Sequence, residues 1–287
     1  MDTILALRTN RFDDQIGTWL EGMARSGMPV IVVADERSDA IETGPFRKVS
    51  LTLQSMQRLG VRAHKNAGWL CGDYALYLAL EAVPEAKWIW LIEPDVRINF
   101  QSPSDFFDHF DANEADLLAA LLTPAGRNWF WTSRMEQVRR PVYRTIFPLL
   151  RATARAVRHL IAIRQSLSAM PDNLYPNDES FVASVLVNDG FECREFSEIG
   201  DFVPPSTFGF ARPVSGKALD LRGPDERVYH PVLYGEDYLR KAHYLCRTSP
   251  LPNHIQDMTS GVGFELGDEA ARLFAAEASV YLTQASK

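Results

Sequence analysis

Two carboxylates separated by a proline, Glu93-Pro94-Asp95, follow directly on the apolar run Trp88-Ile89-Trp90-Leu91-Ile92. Charge at the end of a fully buried strand is costly unless it has a partner. In open α/β sheets the carboxyl ends of strands are where ligands sit. An acid-x-acid pair there suits an octahedral hard cation, which takes one or two carboxylates together with substrate phosphates. The alternative is a solvated turn that ends the strand, because Pro and Asp both favour turns. Further acids stand at comparable places: Asp35 after an earlier apolar run, Asp73 behind Gly72, and Asp178-Glu179 after a polar loop. Each has a structural alternative, a turn acid for Asp35 and helix capping or dipole compensation for the other three.

These residues need elements to position them. Ile4 to Leu7 reads as a strand and Phe12 to Ser26 as a helix, with Ile16, Trp19, Leu20 and Met23 at helical spacing. Pro29 to Ala34 is a second buried strand, which makes a βαβ unit and implies a parallel sheet. A helix near Leu51 to Leu59 and a strongly apolar one opened by Gly72-Asp73 precede the unalternating run Trp88–Ile92, the pattern of a strand covered on both faces. Ser104 to Phe110 reads as a helix and Asp116 to Leu122 as a strand. A helix starts at Asp178, Phe191 to Phe196 alternates as a strand, and a last helix spans Asp268 to Tyr281. The alternation predicts an α/β fold with a mostly parallel sheet flanked by helices.

Residues 127 to 164 differ in character. They hold nine arginines, no lysine and one acid, a formal +8, which leaves −15 for the remainder of a chain whose net charge is −7. Apolar positions between the arginines read as helical from Tyr143 to Leu167, so a helical insertion is expected over about 127–170 in a single domain of residues 1–287. Such helices suit an anionic membrane surface, or a lid over a phosphorylated or lipid-linked acceptor. The alternative is a helical hairpin whose arginines pair with carboxylates of the same chain.

Composition narrows the function classes. At 46% hydrophobic and 23% charged the chain is an ordinary globular protein. Its net negative charge disfavours wholesale binding of nucleic acid. Cys71, Cys193 and Cys246 lie far apart, with no Cys/His cluster for structural zinc, and favour reduced thiols and a cytoplasmic setting. The apolar stretch at the N-terminus is too short for a signal peptide.

The order of elements, the block Gly68-x-x-x-Gly72-Asp73 before Trp88–Val96, the Glu-Pro-Asp-Val motif and the later Val228-Tyr229-His230-Pro231-Val232 resemble nucleotide-sugar glycosyltransferases of the GT-A type. The resemblance covers roughly residues 3 to 235, and it departs from the family's DxD pattern in having Glu93 at the first acidic position. It implies a GT-A-like, Rossmann-like sheet and transfer of a sugar from a UDP- or GDP-sugar to a glycan, lipid-linked or small-molecule acceptor, with Mn2+ or Mg2+. Asp95 maps to the last acid of the motif and so to the direct metal ligand. Glu93 would reach the metal through water, or hold the ribose hydroxyls. Asp35 would accept from base or ribose, and Asp178 or Glu179 would be the general base of an inverting enzyme. Imidazole ligates manganese, so His230 is a candidate to complete the metal site. Arg8, Arg11 and Lys65 are candidates for diphosphate or base contacts, and Gly72 with Asp73 for close approach to the donor. The location expected is the cytoplasm, with or without attachment to the inner face of the membrane. A nucleotidyltransferase is a rival reading, but Arg8-Thr9-Asn10-Arg11 lacks the glycine-rich loop it wants. A non-catalytic binding protein on the same fold is another.

Overall fold

The computed structural model describes residues 2–25, 27–210, 212–248 and 252–285 of the 287. Its strands are β1 (Thr3–Thr9), β2 (Val30–Asp35), β3 (Arg47–Leu51), β4 (Trp88–Ile92), β5 (Arg97–Asn99), β6 (Leu117–Pro124), β7 (Tyr143–Thr153), β8 (Cys193–Glu195), β9 (Val214–Ser215), β10 (Arg227–Tyr229) and β11 (Val232–Leu233). The chain folds into two compact units, residues 1–94 with 107–200 and residues 95–106 with 201–287.

The first unit is a mixed α/β layer structure. Seven strands form one sheet in the order β3-β2-β1-β4-β7-β6-β8. All neighbours are parallel except β7, which runs against β4 and β6. The expectation of a mostly parallel sheet flanked by helices therefore holds. β4 is buried at every position, as its unbroken apolar run requires. Trp90 packs against Phe107, Phe110 and Phe196, with ring centroids 5.0, 5.4 and 6.0 Å away. The other face of the sheet is covered by the helix Tyr74–Ala82, in which every residue from Tyr74 to Leu80 is buried.

The helical reading of Tyr143 to Leu167 is corrected over its first half. Tyr143–Thr153 is an eleven-residue strand inside the sheet, and only Ala154–Ser166 is helical. Helix and buried strand leave the same trace in a short apolar run, so periodicity did not separate them. Pro148 is tolerated because it falls in a bulge. Ala119 of β6 pairs with Leu150 and Ala120 with Ile146, which leaves Phe147, Pro148 and Leu149 without counterparts on β6. Thr153 then caps the helix, accepting the N–H of Ala156 at 3.1 Å. β3 is a strand that the sequence pattern does not predict; at the sheet edge its first positions are exposed and its sequence carries little apolar signal.

The second unit is built from short pieces. β10 pairs antiparallel with β5, and β11 pairs parallel with β9. The helices Gly235–Thr248, Pro252–Leu266 and Asp268–Ala285 pack around Tyr238, Ala242, Cys246, Met258, Val262 and Phe274. Glu265 is buried among them and fully engaged: it accepts from the Ser215 hydroxyl at 2.5 Å, the Lys217 N–H at 3.0 Å and the Gly235 N–H at 2.9 Å. No helix among the described residues is long and apolar enough to cross a membrane.

Candidate functional site

The register of the sheet makes the first contact. Leu7 of β1 pairs with Ile92 of β4. Arg8, the next residue of β1, and Glu93, the first residue after β4, therefore emerge side by side at the carboxyl edge of the parallel strands. The Arg8 guanidinium donates to the Glu93 carboxylate, and its second nitrogen lies 3.4 Å from Asp178 Oδ2. Burial opposes the charge on Arg8, but Glu93 and Asp178 outweigh it and hold the guanidinium above its ordinary range.

Asp178 enters on a separate segment. The helix Asp178–Asn188 is capped by Asn177, whose side chain accepts the N–H of Ser180. Neither Asp178 nor Glu179 is the cap, although both lie in the first turn, where the helix dipole favours them. Asp178 accepts from the Gly72 N–H at 2.8 Å through Oδ2 and from the Glu179 N–H at 2.8 Å through Oδ1. Burial pushes its carboxyl up to about 6, with Arg8 pulling the other way. Glu179 has one weak partner, the Asn177 amide at 3.3 Å. Burial and the neighbouring Asp178 charge push Glu179 up to about 8. Two carboxylates thus contact a single guanidinium and a third, Glu179, adjoins Asp178, so the site is short of positive charge.

The two glycines explain themselves here. A Cβ on Gly72 would sit 1.5 Å from an Arg8 nitrogen and 2.6 Å from Asp178 Oδ2. A Cβ on Gly68 would sit 2.1 Å from Asp35 Oδ2 and 2.4 Å from an Arg37 nitrogen. The close approach that both allow is to side chains of this chain. Asp35, at the end of β2, is bound bidentately by Arg37 at 2.6 Å for each contact.

Asp73 is elsewhere. It is fully buried with Arg164, which binds both of its oxygens at 2.8 and 2.9 Å, and Tyr77 donates its hydroxyl to it. The capping reading of Asp73 is corrected, since its side chain makes no cap hydrogen bond; the carboxylate is enclosed by Arg164 and Tyr77. Arg164 also donates to the carbonyl of Pro176 at 2.9 Å, two residues before Asp178. Sequence reasoning missed Arg164, because nothing in a run of arginines marks the one that turns inward. Lys65 is exposed, and Arg11 is half-exposed 3.9 Å from Asp13.

Asp95 and His230 belong to the second unit. His230 Nε2 lies 3.5 Å from Asp95 Oδ2. The backbone helps hold the two segments together, with the Val232 N–H donating to the Asp95 carbonyl at 2.8 Å. His230 is buried against the rings of Phe208 and Phe210. Its Nδ1 is 2.7 Å from the Gly209 carbonyl, which only accepts, so Nδ1 carries a proton. Nε2 is left facing the Asp95 carboxylate oxygen, an arrangement that a proton or a metal cation between the two stabilises. A carboxylate and an imidazole whose tautomer is fixed by a backbone carbonyl fit a divalent ion of the Mn2+ type.

No protein-family model and no curated protein sequence matches the chain. Among solved structures it is similar to glycosyltransferases. One is involved in the glycosylation of the major capsid of PBCV-1, at 12% identity and TM-score 0.45, covering 85% of this chain and 98% of that one. A second is the galactosyltransferase LgtC in complex with donor and acceptor sugar analogues, at 11% identity and TM-score 0.41, covering 90% and 100%. A third is the mannosyltransferase Ktr4p from S. cerevisiae in complex with GDP, at 12% identity and TM-score 0.41, covering 69% and 70%.

Proposed function

We propose that this chain is a metal-dependent glycosyltransferase of GT-A type, which moves a sugar from a nucleoside diphosphate donor of the UDP- or GDP-sugar class to a hydroxyl acceptor. The observation that carries this reading is the cluster of Arg8, Glu93, Asp178 and Glu179 at the carboxyl edge of parallel strands. Asp95 and His230 would hold the divalent cation, and Glu93 would serve as a ribose contact beside Arg8. The cation, when bound, would supply positive charge to the leaving diphosphate. Glycosyl transfer passes through a transition state in which the sugar carries oxocarbenium character, as in glycoside hydrolysis. A site with three carboxylates and one guanidinium favours that positive charge. Asp178 orients Arg8 and the Gly72 backbone. Glu179, the least encumbered carboxylate, would accept a proton from the acceptor hydroxyl. Asp35 stands at the end of β2, where base or ribose would lie.

Calorimetric titration with UDP- and GDP-sugars, with and without Mn2+, tests the reading. Binding is expected to need the metal, and Asp95→Ala and His230→Ala to abolish that dependence while the fold remains. Slow metal-dependent hydrolysis of the sugar donor should accompany it. Binding without turnover for any donor and acceptor would point to a non-catalytic binding protein, and retained metal-dependent affinity in Asp95→Ala would remove the metal assignment.

A further inference from the structure

Two large aromatic side chains of the first unit stand mostly in water: Trp69 is 68% exposed and Phe130 67% exposed. They are not scattered. Trp69 lies 5.4 Å from the buried Trp131, and Trp131 lies 4.7 Å from Phe130, centroid to centroid. Arg134 spreads its guanidinium over both Phe130 and Trp131, at 5.6 and 4.9 Å. The rings are thus braced into one platform with a cationic side.

Its place in the fold is specific. Trp69 sits in the short helix Ala67–Leu70, between Gly68, which touches Asp35 and Arg37, and Gly72, which touches Arg8 and Asp178. It stands three positions before Gly72, so their backbones are at most about 11 Å apart. Phe130 and Trp131 follow the end of β6, which runs parallel to β1 and β4 and so opens at the same sheet edge. Arg134 reaches the carbonyl of Tyr175, three residues before Asp178, at 3.5 Å.

We infer that Trp69 and Phe130, braced by the buried Trp131, form the seat of a pyranose ring of the glycosyl acceptor, stacked by its C–H face on the exposed rings. This rests on the glycosyl-transfer reading given above. The occupant follows from the chemistry of the surface. The apolar area consists of a few braced rings, and exposed polar residues flank them in sequence, namely Lys65 and Asn66 on one side and Arg127 and Asn128 on the other. A lipid chain wants a continuous apolar groove. A sugar presents an apolar face bounded by hydroxyls, which match ring faces bounded by guanidinium, ammonium and amide groups.

The test uses the full chain with Mn2+ and UDP or GDP on an array of pyranoside glycans, with Trp69→Ala, Phe130→Ala and Trp69→Phe alongside. Wild type is expected to retain at least one class of glycan. Each alanine variant should weaken that retention by roughly tenfold or more, Trp69→Phe should restore part of it, and the thermal shift on adding nucleotide should stay unchanged. Undiminished retention in both alanine variants overturns the proposal. So does the absence of glycan retention by wild type, or a loss of nucleotide affinity in place of glycan affinity, which would put a base on the rings. Donor hydrolysis by wild type is measured separately: its absence, with glycan retention intact, sinks glycosyl transfer and leaves the sugar seat standing.

Discussion

Asp178 and Glu179 adjoin in the chain and differ in partners. Asp178 has three donors, Gly72, Glu179 and Arg8, whereas Glu179 has one amide at 3.3 Å. Burial and the Asp178 charge raise Glu179 from an ordinary 4.5 to about 8. A carboxyl whose folded pKa is raised contributes stability below its unfolded pKa and loses it as pH rises through the folded one. The melting temperature of the metal-free protein should therefore fall between about pH 5 and 9, with Asp178, raised to about 6, adding to the early part of the fall. Glu179→Gln should flatten the later part and raise the melting temperature at pH 9 by a few degrees; an unchanged pH profile would contradict the burial of that charge. Gly72 offers a second check. A methyl there collides with Arg8 and Asp178, so Gly72→Ala should cost about 1–3 kcal/mol in denaturant unfolding. On the proposed reading it should also lower donor turnover more than donor binding, because the displaced groups are those that this reading puts around the reacting centre.

At the scale of elements, the buried Arg164–Asp73 pair joins the helix Ala154–Ser166 to the start of the helix Tyr74–Ala82, across 91 residues of sequence. Arg164 extends the tie to the Pro176 carbonyl and so to the loop that delivers Asp178. Removing one partner of such a pair leaves an uncompensated buried charge and costs about 3–5 kcal/mol. Arg164→Met should show that loss in urea unfolding, and Arg164→Met with Asp73→Leu should regain much of it. Equal losses in the single and double variants would mean that packing, and not the charge, is what matters there. Thr153 both caps its helix and donates to Asp116 at 2.8 Å. Its replacement by alanine should cost about 1 kcal/mol or somewhat more.

For the whole molecule, charge and ligand linkage give the tests. Of the nine arginines between 127 and 164, four are held by carboxylates of the same chain: Arg139 by Asp189, Arg140 by Glu136, Arg155 by Asp116 and Arg164 by Asp73. Arg151 is turned inward over Trp88 and donates to the Phe110 carbonyl. With so much of the +8 neutralised internally, the protein is expected to stay in the supernatant with anionic liposomes at physiological salt; pelleting would revive a membrane role for this region. Adding Mn2+ with UDP or GDP at about 100 times the dissociation constant should stabilise the native state by about 2.7 kcal/mol, read as a rise of several degrees in melting temperature.

The sequence by itself determined β1, β2 and β4 of the parallel half, β4 most of all, because five apolar residues without alternation demand cover on both faces. It also determined that acids stand at the ends of β2 and β4 and at the start of a late helix. Tertiary structure alone decided what each acid meets. Glu93 meets Arg8 because β1 and β4 are in register, and Asp178 meets Gly72 across 106 residues. Asp73, which has the same local signature, is buried against Arg164. Tyr143–Thr153 became a strand because β4 and β6 each offered it an open edge. Local pattern records which face of an element is apolar, but it does not record the partner, and a buried charge takes its role from the partner.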